Sequence, residues 1–124
     1  MASSRPKYLN LIQIRLPVPG LVSILHRVSG AALFLMLPGL LVLFEMSLES
    51  PQTFARFTAA FSHGAVKLVL LGLAWAYLHH LCAGIRHLAL DLDYGTELAR
   101  ARASSWAVLV VSSVLTLAVA ALIW

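Results

Sequence analysis

Two short stretches hold most of the side chains in this chain that could do chemistry. The first is Ser23-Ile24-Leu25-His26-Arg27-Val28-Ser29-Gly30, and the second runs His79-His80-Leu81-Cys82-Ala83-Gly84-Ile85-Arg86-His87 and on to Asp91. On a helix, seven residues advance by about two turns, so His80 and His87 share a face with Gly84 between them and Asp91 continuing the stripe. His79 points about 100° away, on the side of Cys82, Ala83 and Arg86. An imidazole in the middle of a long apolar segment needs a partner, and a metal is a natural one. Gly84 would let a flat ligand approach the backbone beside His80, so geometry favours His80 over His79 without deciding between them. Two histidines hydrogen-bonded inside a helix bundle fit the same spacing. Cys82 reads as a small apolar side chain.

In the first stretch Ser23 and Arg27 are four residues apart and therefore neighbours on one helical face, with His26 at its border and Gly30 close by. A hydroxyl, an imidazole and a guanidinium at the entrance of an apolar span make a polar pocket at the membrane boundary. The competing explanation is that Arg27 reaches lipid phosphates and His26 sits at the interface.

The elements that position these groups follow from composition. The chain has 124 residues, 60% hydrophobic and 11% charged, against roughly 25% charged for a soluble domain. Charge is absent from three blocks, residues 28–44, 68–85 and 104–124. Each is close to the length that crosses a hydrocarbon core of about 30 Å at 1.5 Å per residue. The expected fold is all-α: an integral membrane protein with transmembrane helices at about 21–48, 66–91 and 104–124, preceded by an irregular arm over 1–20. Three spans and short loops leave no room for a soluble domain. The arm is too polar and proline-rich for a signal peptide, and the first span lacks a small-residue cleavage site, so the span is expected to be retained.

In the first loop Ser50-Pro51 reads as a helix start, and Phe54, Phe57 and Phe61 recur at spacings of three and four. That pattern predicts a short amphipathic helix in the membrane interface. His63 reads as an exposed loop histidine. Pro38-Gly39 predicts a kink or a close helix contact inside the first span. Trp106 and Trp124 are expected as interfacial anchors of the third.

The net charge of +4 does not form a nucleic-acid patch. Arg5, Lys7, Arg15 and Arg27 precede the first span or open it, and Arg86, Arg100 and Arg102 lie at the connection between the second and third. By the positive-inside rule this places the N-terminus in the cytoplasm and the C-terminus outside. With one cysteine there is no disulfide framework, no cysteine cluster and no Cys-x-x-Cys-His haem attachment.

Three stretches together resemble the cytochrome b556 membrane-anchor subunits of succinate dehydrogenase, of the bacterial four-subunit kind. They are Arg5-Pro6 with Leu9-Asn10-Leu11 and Ile14-Arg15-Leu16-Pro17; Ser23-x-x-His26-Arg27-x-Ser29-Gly30; and His80-x-x-x-Gly84-Ile85-Arg86-His87-x-x-x-Asp91. The resemblance implies that His80 is an axial ligand to the iron of haem b, which is shared with a second haem-ligating membrane-anchor subunit. It implies that Ser23 and Arg27 help form a ubiquinone pocket, and that His26, Arg27 and His87 lie near the haem propionates. The implied partners are a flavoprotein subunit and an iron–sulfur subunit, and the implied location is the bacterial inner (cytoplasmic) membrane, with the C-terminus periplasmic. This chain has no flavin motif, so succinate oxidation would belong to the partners. Asp93 departs from the pattern, since relatives often have glycine there. A haem-free membrane scaffold and a fumarate reductase anchor are the alternatives. A small transporter is disfavoured, because no internal repeat is visible and the third span offers no polar path.

Overall fold

The computed structural model describes residues 15–124, and within them the chain is all-helical: α1 (Val18–Glu49), α2 (Pro51–Ser62), α3 (Gly64–Asp91) and α4 (Leu98–Ile123). The three long helices are each long and apolar enough to cross a membrane. Residues 1–14 of the expected arm lie outside the described residues. Its last part is already helix, because Pro19 falls in the first turn of α1, where its missing N–H costs nothing. Helix α4 likewise starts before residue 104 and carries Arg100 and Arg102 in its opening turns.

Helix α2 is the interfacial helix expected from the phenylalanine spacing. Its start is a reciprocal cap. The Thr53 N–H donates to Ser50 Oγ at 3.2 Å and the Ser50 N–H donates to Thr53 Oγ1 at 3.0 Å, satisfying two otherwise orphaned donors. Phe57 stacks obliquely on Phe61 at 4.3 Å. His63, exposed, caps the boundary to α3. Helix α1 runs through Pro38, and a Cβ at Gly39 would meet nothing within 4 Å. No neighbouring helix among the described residues therefore presses on that glycine.

The core is inverted relative to a soluble bundle. Helix α3 lies between α1 and α4 and packs on both. Its buried stripe is Ala76, His79, Ala83 and Arg86, and that of α4 is Ser105, Val108, Ser112 and Thr116. The large side chains Phe34, Leu117 and Leu122 are exposed. In lipid, helix association gains nothing from burying leucine, so small residues that let backbones approach occupy the inside. The hydroxyls cost little there. Ser105 Oγ donates to the Ala101 carbonyl, Ser112 Oγ to Val108 and Thr116 Oγ1 to Ser112, each at 2.7 Å. At the far end Lys67 sits 5.3 Å from the centre of the Trp124 ring, tying the end of α4 to the start of α3.

Helix α3 ends in a Schellman motif. The Tyr94 N–H donates to the Ala89 carbonyl and the Asp93 N–H to Leu90, both at 3.0 Å. Asp93 itself has a φ of 61°. The left-handed position that usually belongs to glycine is filled here by aspartate, one of the few other residues that tolerate it. The departure from the family pattern at this position therefore leaves the turn intact.

Candidate functional site

His80 lies mid-way along α3, about 16 Å from its C-terminal end at 1.5 Å per residue. Its ring turns toward α1. Nδ1 is 3.0 Å from the carbonyl oxygen of His26 and 3.3 Å from Ser29 Oγ, while Ser29 Oγ also donates to the His26 carbonyl at 2.9 Å. A backbone carbonyl can only accept, so this contact puts the proton on Nδ1 and leaves Nε2 as the nitrogen with a free lone pair.

Helix α1 comes close enough for this because residue 30 is glycine. A Cβ there would lie 2.7 Å from Cε1 of His80. The His26 ring stacks on His80 with centroids 4.1 Å apart and planes 12° apart, and it lies 5.0 Å from the His87 ring. It covers Gly84, where a Cβ would meet His26 Nε2 at 3.5 Å. The space over Gly84, read from sequence as room for a flat ligand, is thus occupied by a side chain of α1. Three imidazoles from two helices converge. Ser23 (half-buried) and exposed Arg27 flank them on α1.

His79 sits elsewhere. It is fully buried, its ring stacks on Trp75 at 4.9 Å, and among the described residues neither of its nitrogens makes a well-formed hydrogen bond, the Val22 backbone being the polar group beside it. The adjacent histidines therefore divide: one is buried inside the bundle, the other is held at a helix–helix contact with a nitrogen to offer.

Sequence reasoning put His80 and His87 on one face of the second span and grouped His26 with Ser23 and Arg27 on the first. The structure brings the three imidazoles together and adds two features that the reasoning missed. One is the use of the His26 carbonyl and Ser29 Oγ to hold His80; the only sequence signal is Ser29-Gly30 one turn after His26. The other is Arg86, buried with Nε donating to Ser104 Oγ at 2.9 Å and Nη2 to the Ala101 carbonyl at 3.3 Å.

Among the described residues no three His, Cys, Asp or Glu side chains converge on a point where a free ion could be held. A haem asks less of one chain: a single imidazole nitrogen on the iron and cationic or imidazole groups near its carboxylates. The His80 ring, tautomer fixed and Nε2 free, with His26, His87 and Arg27 close by in the fold or sequence, fits that demand.

Over residues 1–119 the sequence matches the family described as succinate dehydrogenase/fumarate reductase transmembrane subunit. The chain belongs to this family. Among relatives, the succinate dehydrogenase cytochrome b556 subunit of Coxiella burnetii is 35% identical over 125 residues, covering 100% of both chains. That of Paracoccus denitrificans is 35% identical over 119 residues, 94% of this chain and 92% of the relative. That of Rickettsia felis is 30% identical over 115 residues, 93% and 90% respectively. Family membership and three apolar helices make this chain a multi-pass membrane subunit of bacterial type that works within a larger complex.

Proposed function

We propose that the chain is the haem b- and quinone-binding anchor of a succinate:ubiquinone oxidoreductase, passing electrons from an iron–sulfur subunit to ubiquinone in the bacterial inner membrane. The observation that carries this reading is the hydrogen bond from His80 Nδ1 to the His26 carbonyl. Metal-bound histidines characteristically spend the second ring nitrogen on a carbonyl or carboxylate, which fixes the ring and raises its basicity.

His80 would hold the haem iron through Nε2, together with a second haem-ligating anchor subunit. His26, His87 and Arg27 would hold the propionates, Arg27 offering a planar fork of donors to a carboxylate. The haem, when bound, supplies a one-electron store in the membrane next to the quinone pocket. The Ser23 hydroxyl donates a hydrogen bond to a quinone carbonyl oxygen, and Arg27 stabilises the negative charge that grows on that oxygen as electrons arrive. Two electrons and two protons convert the quinone to the quinol. The electrons originate in the flavoprotein subunit, which oxidises succinate, and reach the membrane through the iron–sulfur subunit docked on the cytoplasmic side, where the N-terminus lies; the C-terminus is periplasmic.

The test is a reduced-minus-oxidised spectrum of the assembled complex with His80→Ala, alongside assays of Ser23→Ala and Arg27→Leu. His80→Ala is expected to remove or shift the b-type absorbance. The other two are expected to depress quinone reduction while succinate oxidation by an artificial acceptor survives. An unchanged spectrum in an intact His80→Ala complex would move the ligand to another residue.

A further inference from the structure

Arg86 is the only buried arginine or lysine among the described residues. Both hydrogen bonds it donates go to neutral oxygens, Ser104 Oγ and the Ala101 carbonyl. The only ion pair among the described residues joins Arg100 to Glu97. The guanidinium of Arg86 therefore has no counter-charge within the described chain. A permanent cation inside a membrane bundle is costly; carbonyl and hydroxyl acceptors offset part of that cost, an anion would offset more, and such residues mark functional positions.

The surroundings of Arg86 specify the ligand. Between α3 and α4 a groove of about 310 Å³ is lined by Arg86, Leu90, Tyr94, Gly95 and Ser104. It adjoins a second space of about 220 Å³ lined by Ala107, Val108 and Val111, and the two share Cys82 and Ile85. Together they make one slot along roughly eight residues of α3, or about 12 Å. Its polar end lies at the α3–α4 connection, where headgroups are, and its other end is wholly apolar. Arg86, Tyr94 and Ser104 contribute the few polar atoms at one end and aliphatic side chains line the rest, the order of a phospholipid entering from one leaflet. A partner helix would have to carry a carboxylate at the level of Arg86 to match it. The stem of Arg100 reaches the rim, its Cβ 3.9 Å from where a Cβ of Gly95 would be. Asp91 and Asp93 are exposed, and neither lines the slot.

We propose that the α3–α4 groove binds an anionic phospholipid, with its phosphate on Arg86 and one acyl chain lying from Cys82 toward Val111. A basic pocket between transmembrane helices is a recognised way to hold an anionic headgroup, and Arg suits phosphate better than Lys does. A zwitterionic lipid brings its own cation to the same place and binds less well. The site is separate from the imidazole cluster and does not depend on haem or quinone.

Cys82, the only cysteine of the chain, lies in the slot and reports on it. The assembled complex is placed in nanodiscs of phosphatidylcholine alone or of phosphatidylcholine with phosphatidylglycerol. Alkylation by N-ethylmaleimide is followed on the peptide that carries Cys82, and lipid retained after detergent extraction is read by native mass spectrometry. Phosphatidylglycerol is expected to slow Cys82 labelling roughly tenfold and to be retained, the scale of one charge-assisted phosphate contact. Arg86→Gln is expected to abolish both effects. Because Arg86 also ties α3 to α4, Ala107→Trp serves as a second variant: it fills the apolar end from an exposed position and leaves the hydrogen bonds of Arg86 in place. It too is expected to abolish phosphatidylglycerol retention. Equal labelling in the two nanodiscs, or undiminished retention by Ala107→Trp, overturns the proposal. So does a benzophenone-maleimide on Cys82 that crosslinks to another protein chain or to a quinone instead of to lipid.

Discussion

The Nδ1 of His80 lies 3.0 Å from the carbonyl oxygen of His26, a hydrogen bond that joins the central helix to its neighbour across 54 positions of sequence. Because the acceptor is backbone, side-chain substitution at 26 cannot delete it. Ser29 is the adjustable partner, with its hydroxyl 3.3 Å from the same nitrogen. Ser29→Ala is expected to cost stability only at the scale of one net hydrogen bond, about 0.5–1.5 kcal/mol. Haem should still bind, with the imidazole plane less constrained. Electron paramagnetic resonance of the oxidised complex reads that plane, and the g-value spread should change or broaden while haem content holds. Loss of haem in this variant would mean that the carbonyl does not suffice.

Gly30 and Gly84 flank the imidazole cluster from opposite helices, and they differ in what a methyl group would meet. At residue 30 the new Cβ falls 2.7 Å from His80 Cε1, inside any tolerable contact, whereas at residue 84 it lies 3.5 Å from His26 Nε2, an ordinary one. Gly30→Ala should therefore push the His80 ring or the whole of α1 away, at about 1–3 kcal/mol for overpacking. Gly84→Ala should be accommodated. Haem-to-protein ratio and thermal unfolding of the two assembled variants, side by side, decide the matter. Equal behaviour would show that the helix contact relaxes freely.

How much of this was legible beforehand depends on the physics of each feature. The three spans were visible because a bilayer demands continuous hydropathy over a fixed length, and that is a property of sequence alone. The capped start of α2 was visible because Ser50-Pro51 acts locally. That His80 and His87 share a face followed from helical periodicity; that His26 meets them depended on how α1 packs on α3. By contrast, the partner of His80 Nδ1 is a backbone carbonyl, which no side-chain identity encodes. The occupant of the space over Gly84 depended on how far α1 slides along α3, set by the close approach at Gly30, a residue the first stretch contains but whose contact its spacing does not encode. The buried state of Arg86 needed α4, whose Ser104 and Ala101 accept its hydrogen bonds and whose first turns lie upstream of the apolar block that announced it.

Asp93 gives a backbone test. It holds a left-handed φ of 61° at the end of α3, a conformation that costs a β-carbon residue roughly 1–2 kcal/mol, with aspartate among the more tolerant. Asp93→Gly should leave the thermal midpoint of the complex level or raise it. Asp93→Val should lower it by an amount near the upper end of that range, since branching at Cβ clashes most there. Hydrogen exchange at Tyr94, whose N–H closes the motif onto Ala89, should rise in the valine variant alone. A valine variant as protected as the parent would sink the assignment of strain to this residue.

His79 offers the sharpest separation between neighbours. It is 0% exposed and among the described residues neither ring nitrogen makes a well-formed hydrogen bond, the Val22 backbone being the polar group beside it. It therefore carries part of the desolvation cost of a poorly satisfied polar group, about 1–3 kcal/mol at most. The stack on Trp75 at 4.9 Å and 19° returns part of that, and an apolar ring can supply the same stack. His79→Phe removes those nitrogens and keeps a flat ring. It is expected to leave the complex as stable as the parent or more so, with its haem and quinone reductase activity intact, whereas His80→Ala one residue on loses the haem. The extra volume of phenylalanine is offset by removing the poorly satisfied ring nitrogens. Haem loss from His79→Phe in a complex that still assembles would reverse the assignment of the two histidines, because an imidazole that only packs has no spectrum to change.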